Sequence, residues 1–151
     1  VSDHAAPPAL PFVDEHRLLV PAPPDVVWRA LTAHVRTPEP ALLHAVLATR
    51  PRRAAGTGLE PGAAVPGFAV AEVEPERRVR LTGRHRFSVY ALTFTLDPAP
   101  GGTVVGARTE AAFPGPHGRI YRLLVMTSGA HRAAVGRILR DVRRRAVPSS
   151  G

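Results

Sequence analysis

The sequence contains no cysteine and no lysine, and all 20 of its basic residues are arginine. Without cysteine the fold cannot rest on disulfides or a thiolate zinc cage, and no catalytic thiol exists. Without lysine there is no phosphate-binding P-loop and no Schiff base. No apolar run approaches the roughly 18 residues needed to span a bilayer, so no transmembrane segment is expected, and a cytoplasmic location is the default. Aromatic residues make up only 5% of the chain, too few for the clustered stacking platforms of single-strand nucleic-acid binders.

What is present describes a folded protein. With 151 residues, 44% of them hydrophobic and 21% charged, the chain suits one domain with a real core. The net charge of +8 invites a phosphate-binding reading. The exclusive use of arginine, beside abundant Ala, Gly and Pro, is instead what GC-rich coding produces, and no nucleic-acid motif accompanies it.

Pro7, Pro8 and Pro11 mark residues 1–11 as a flexible leader, leaving residues 12–146 as a single domain and 147–151 as a tail. Residues 13–20 alternate as a strand should and end at Pro21, Pro23 and Pro24. Val27, Leu31 and Val35 are spaced four apart, which predicts a helix over residues 24–35 with Asp25 in its first turn. A second short helix is expected from Thr37 as N-cap and Pro38 at the first helical position, carrying Leu42, Leu43, Val46 and Leu47. Residues 50–67, rich in Gly and Pro, read as irregular chain with room for one short strand. Strands then follow at 67–73, 77–83, 87–97 and 103–113, separated by Glu74-Pro75-Glu76 and by a turn over residues 97–102. From His117 to Ala146 apolar residues return every three or four positions, among them Ile120, Leu123, Leu124, Val135, Ile138, Leu139 and Val142, which predicts one long amphipathic helix stopped before Pro148.

Three stretches carry a family resemblance: Ala22-Pro23-Pro24-Asp25-Val26-Val27-Trp28, the Gly67 to Gly83 hairpin with Glu74-Pro75, and Leu96-Asp97-Pro98 before Gly101-Gly102-Thr103. With the element order, they make residues 13–146 resemble the START-like (SRPBCC) superfamily, which includes the polyketide cyclase/dehydratase families. The resemblance implies an α+β helix-grip fold: a curved antiparallel sheet wrapped around a long C-terminal helix, with two short helices after the first strand. It also implies a cavity between sheet and helix that holds apolar ligands such as lipids or polyketides.

Individual residues narrow the chemistry. Gly56-Thr57-Gly58 lacks the third glycine of a dinucleotide fingerprint, and Ser128 lies inside the predicted last helix without a nucleophile elbow. The seven histidines match no metal template, so no metal and no cofactor are expected. His131 falls on the helical stripe of Leu124, Thr127, Val135 and Ile138, and so faces the core or cavity. It is either a buried histidine satisfied by one hydrogen bond or a polar anchor and general acid/base. His85 continues the inward parity of Val79, Leu81 and Gly83 unless a bulge turns it out. Tyr90 shares a face with Leu92 and Phe94, and its phenol offers an apolar body with a hydrogen-bonding tip. Thr109 lies on the inward parity of Val105 and Ala107, whereas Arg108 and Glu110 belong to the solvated face with at most a modest charge pair. Tyr121 and His44 lie either near the cavity mouth or in solvent, and Trp28 reads as a core anchor.

The leading functional expectation is binding of a small, largely apolar ligand by His131, His85, Tyr90, Leu92, Phe94, Thr109, Tyr121, Leu124 and Thr127. The alternatives are an aromatase/cyclase or dehydratase that uses His131 or His85 on a polyketide-like substrate, and a basic-surface interaction or nucleic-acid module. The expected state is a monomer or homodimer.

Overall fold

The computed structural model describes residues 9–37 and 49–147. Within them β1 (Phe12–Val20) leads into α1 (Pro24–Arg36), followed by β2 (Ala64–Val65), β3 (Phe68–Glu74), β4 (Arg78–His85), β5 (Ser88–Ala99) and β6 (Gly102–Ala112). Two helices close the chain, α2 (Gly115–Thr127) and α3 (Ala130–Ala146). All strands pair antiparallel in one six-stranded sheet of order β1-β6-β5-β4-β3-β2, a meander whose last strand returns to meet the first. The architecture is the expected α+β helix-grip fold, with α3 packed against α1 and touching β1 and β6.

The core lies between the sheet's inner face and these two helices. Val79, Leu81, Phe94, Leu96 and Val105 from the strands meet Val27 and Leu31 of α1 and Val135, Leu139 and Val142 of α3, all of them buried. Trp28 is partly buried against this cluster, as an anchor should be. Arg80 and Arg108 point to the outer face. There Arg80 bonds Glu110 at 2.8 Å, and the Arg108 guanidinium sits 4.8 Å from the Phe12 ring centre, so Glu110 pairs across strands rather than with Arg108.

Two details depart from the expected outline. The last hairpin is tighter than the six-residue turn suggested by composition, because β5 runs through Pro98 and Ala99, the latter paired with Gly102. β4 reaches β5 only as far as Thr95 in that direction, so the missing N–H of Pro98 costs no ladder bond. Thr37 ends α1, its hydroxyl donating to the Ala33 carbonyl at 2.7 Å; the expected second helix beyond it, with His44, lies outside the described residues.

The single long terminal helix is instead two. Gly129 takes φ 75°, a left-handed conformation that interrupts the helical path and is unstrained for glycine. The break resets the phase of the apolar stripe. In α2 the inward side chains are Tyr121, Val125 and Met126, while Ile120, Leu123 and Leu124, expected in the core, stand 58%, 65% and 65% exposed.

A charged clamp fastens α3 to the end of α1. Asp141 accepts from His34 Nδ1 at 2.6 Å and from Arg145 Nε at 2.7 Å, and Arg145 also donates to Thr37 Oγ1 at 3.2 Å. The Arg145 and His34 hydrogen bonds outweigh burial and hold the Asp141 carboxyl down at about 2, against an ordinary 3.8. A depressed carboxyl stabilises the fold above its unfolded value and loses that contribution as pH falls through the folded one. Asp141→Asn is therefore expected to lower stability by roughly 1–2 kcal/mol at neutral pH. The difference from the parent should shrink between pH 4 and pH 2 in thermal unfolding, and a constant difference would show that the charge is not the cause.

Candidate functional site

The inner sheet face and the two terminal helices leave a chamber of about 200 Å³. Its floor is Leu92, Thr109 and Ala111, its roof is Tyr121, Val125 and Met126 of α2, and Ala134, Val135 and Ile138 of α3 close one side. Phe68, Leu92, Ala134 and Ile138 also wall a second cavity of about 600 Å³ that reaches toward the ends of α1 and β2 and includes Phe94. Among the described residues the second mouth carries His34, Arg36 and Arg137 and no acidic side chain. Arg36 is occupied by the Ala55, Gly56 and Ala64 carbonyls, and His34 by Asp141, whereas Arg137 has no polar partner among the described residues.

One polar cluster is built across the chain's two ends. His131, in the first turn of α3, bonds Asp14 Oδ1 through Nε2 at 3.0 Å, and His16 Nε2 bonds Oδ2 of the same carboxylate at 3.1 Å. Burial alone would raise the Asp14 pKa, but the two histidine hydrogen bonds overcome it and hold the carboxyl below its ordinary value. An ionised carboxylate only accepts, so both imidazoles donate from Nε2, and a neutral His131 keeps its Nδ1 lone pair free, with no protein partner among the described residues. Asp14 reaches this position because β1 pairs with β6 in a register that sets Asp14 opposite Thr109 and His16 opposite Ala107.

At the other end His85, Phe87, Tyr90 and Tyr121 form an aromatic corner. The His85 ring lies 4.9 Å from Tyr121 and 5.6 Å from Tyr90, and Phe87 stacks on Tyr121 at 5.1 Å. His85 Nδ1 accepts the Phe87 backbone N–H at 3.0 Å, which fixes the neutral tautomer with hydrogen on Nε2, facing Ser88 Oγ at 2.9 Å. Burial depresses the His85 pKa, reinforcing the neutral ring. Tyr90 donates to the Gly67 carbonyl at 2.6 Å, and burial first, then Tyr121, pushes its phenol up to about 12. Its ring needs the bare backbone of Gly83 opposite, since a Cβ there would collide with the Gly67 carbonyl and approach the Tyr90 hydroxyl to 2.8 Å.

The sequence profile of the family described as "Polyketide cyclase / dehydrase and lipid transport" matches residues 15–146. The chain belongs to this family. No curated protein matches the sequence. Among solved structures, TTHA0849 from Thermus thermophilus is 19% identical, with TM-score 0.57 over 93% of this chain and 100% of that one. Protein MLL2253 from Mesorhizobium loti is likewise 19% identical, with TM-score 0.54 over 87% and 94%. CV1439 from Chromobacterium violaceum is 16% identical, with TM-score 0.55 over 90% and 97%. At such identities the likeness shows a shared fold and no more.

On that family fold, His131, His85, Tyr90, Leu92, Thr109 and Tyr121 line the inner chamber and Phe94 lines its neighbour. Leu124 does not: the break at Gly129 leaves it exposed on the outer side of α2. The Thr127 side chain lies outside the described set. Sequence reasoning missed Asp14 and His16, although Asp14-Glu15-His16 alternates with the right parity. The signal was two polar residues on the inward face of a half-buried strand, a costly placement unless each finds a partner. No described helix is long and apolar enough to cross a membrane.

The Thr109 hydroxyl is buried at the chamber wall with no hydrogen-bond partner among the described residues. An unpaired buried hydroxyl costs about 1–3 kcal/mol. Thr109→Val should therefore raise the stability of the ligand-free protein by about 1 kcal/mol in denaturant unfolding; unchanged or lower stability would show that water already satisfies the hydroxyl.

Proposed function

We propose that the protein reversibly binds a small, largely apolar molecule between the sheet and the terminal helices. The observation that carries this reading is the inner chamber itself: mostly aliphatic and aromatic, yet bordered by an unpartnered Thr109 hydroxyl and a free His131 Nδ1. Apolar walls supply affinity, and a few placed polar groups fix orientation. The adjoining 600 Å³ compartment falls in the range of small-molecule sites, about 300–1,000 Å³. Family membership agrees with ligand binding and leaves the ligand open.

Ala134 borders both compartments and is itself exposed, so a larger side chain there narrows the passage without overfilling the core. Ala134→Trp is expected to weaken binding of an apolar fluorescent dye, and of any lipid or aromatic ligand that raises the melting temperature, by about tenfold or more with the fold intact. The reading fails if no apolar compound shifts the melting temperature and the variant binds dye as the parent does.

The His131–Asp14 pair favours a second reading, in which the polyketide cyclase or dehydratase chemistry of the family is carried out here. Asp14 holds the ring through Nε2 and leaves Nδ1 to take a proton from an acidic C–H beside a carbonyl, the carboxylate then facing the imidazolium that results. A positioned general base contributes about 10²–10⁴-fold. If a β-polyketone substrate is turned over, His131→Ala should lose activity on that scale. Asp14→Asn should lose less and shift the pH–rate profile; equal rates in parent and His131→Ala would remove His131 from the chemistry.

A further inference from the structure

Helix α2 has two apolar faces, and the roof of the chamber uses only one. Ile120, Leu123 and Leu124, spaced to share one side, stand 58%, 65% and 65% exposed. A helix at the surface of a soluble domain ordinarily turns polar residues outward, and a cluster of large exposed apolar side chains marks an interaction site. The surface beside it is basic. Arg119 and Arg122 of the same helix border a cleft of about 260 Å³ together with Phe12, itself 54% exposed, and Phe113. Among the described residues no acidic side chain lines that cleft, and the sequence has none anywhere from Gly115 to Arg140, a stretch holding Arg119, Arg122, Arg132, Arg137 and Arg140.

We propose that this face docks on an anionic lipid surface, with Ile120, Leu123 and Leu124 entering the boundary of the acyl region and Arg119 and Arg122 lying among the phosphate headgroups. With 13 residues α2 is too short to span a bilayer, and a basic helix with an outward apolar side lies in the plane of the interface. Charge decides between this partner and a second copy of the chain. A two-fold contact through α2 would set its arginines near one another with no carboxylate between them, whereas anionic headgroups neutralise both. The docking does not require an occupied chamber, so it stands apart from the function proposed above.

The test is flotation of the full chain with vesicles of phosphatidylcholine alone and of phosphatidylcholine mixed with phosphatidylglycerol. Binding to the mixed vesicles is expected, weakening as salt rises. The double variant Leu123→Asp, Leu124→Asp should lose about tenfold or more in partitioning, with its melting temperature maintained because both side chains are exposed. Since the whole protein is basic, Arg119→Gln with Arg122→Gln is compared with Arg143→Gln with Arg144→Gln, which removes equal charge from the last turn of α3. The first pair should weaken binding by a larger factor than the second. The proposal is overturned if mixed vesicles do not bind, if the aspartate variant binds as the parent does, or if the two arginine pairs matter equally. It is also overturned if light scattering shows a dimer that Leu123→Asp dissolves while vesicles are ignored.

Discussion

The register of β1 against β6 is the constraint from which the rest of the molecule follows. These are the first and last strands of the meander, and their pairing from Asp14 opposite Thr109 to Val20 opposite Thr103 closes the order of the sheet. Side chains alternate along a strand, so a slip of one residue would turn Asp14, His16 and Leu18 outward and Glu15 and Arg17 inward. It would also remove the carboxylate that meets His131, and with it a polar tie between β1 and α3. The bulge between Phe12 and Asp14 absorbs the irregularity at the strand's start and leaves the rest in phase.

Polar groups inside the fold are arranged so that few are left to water or to chance. Asp14 serves two histidines, Asp141 serves a histidine and two arginines, and the Tyr90 phenol is tied to a backbone carbonyl. Against that background a few unpartnered groups stand out among the described residues: the buried hydroxyls of Thr93 and of Thr109, the latter at the chamber floor, and Arg137 at the wider mouth. The arginines that give the chain its charge mostly lie outside the core, along the outer sheet face and the terminal helices, and short ion pairs to Glu72 and Glu110 engage Arg78 and Arg80. The net charge therefore describes the surface and says little about the cavity.

Much of this was legible in the sequence because the relevant signals are local. Period-two alternation in Tyr90, Leu92 and Phe94, the turn residues at Glu74-Pro75 and Gly101-Gly102, and the four-residue spacing of Val27, Leu31 and Val35 each specify an element from a short window. What escaped was of two kinds. A single glycine in the left-handed region at Gly129 divides a periodic stretch that otherwise reads as continuous, and every orientation inferred across it shifts; hence Leu124 outside rather than inside. Contacts distant in sequence also leave no local trace. His131 could be placed on an inward stripe, but its partner lies 117 residues away, and only the closing of the sheet brings the two together.

The interruption at Gly129 also separates two jobs that a continuous helix would have to share. Val135, Leu139, Val142 and Ala146 bind α3 into the core, while α2 packs among the described helices mainly on α3 and contributes none of the buried cluster. Substitutions at the chamber-facing Tyr121, Val125 and Met126 can therefore reshape the ceiling with little effect on the seam that keeps the domain folded. Such a joint makes the ceiling an exchangeable part: what fits inside can be retuned without renegotiating how the protein folds.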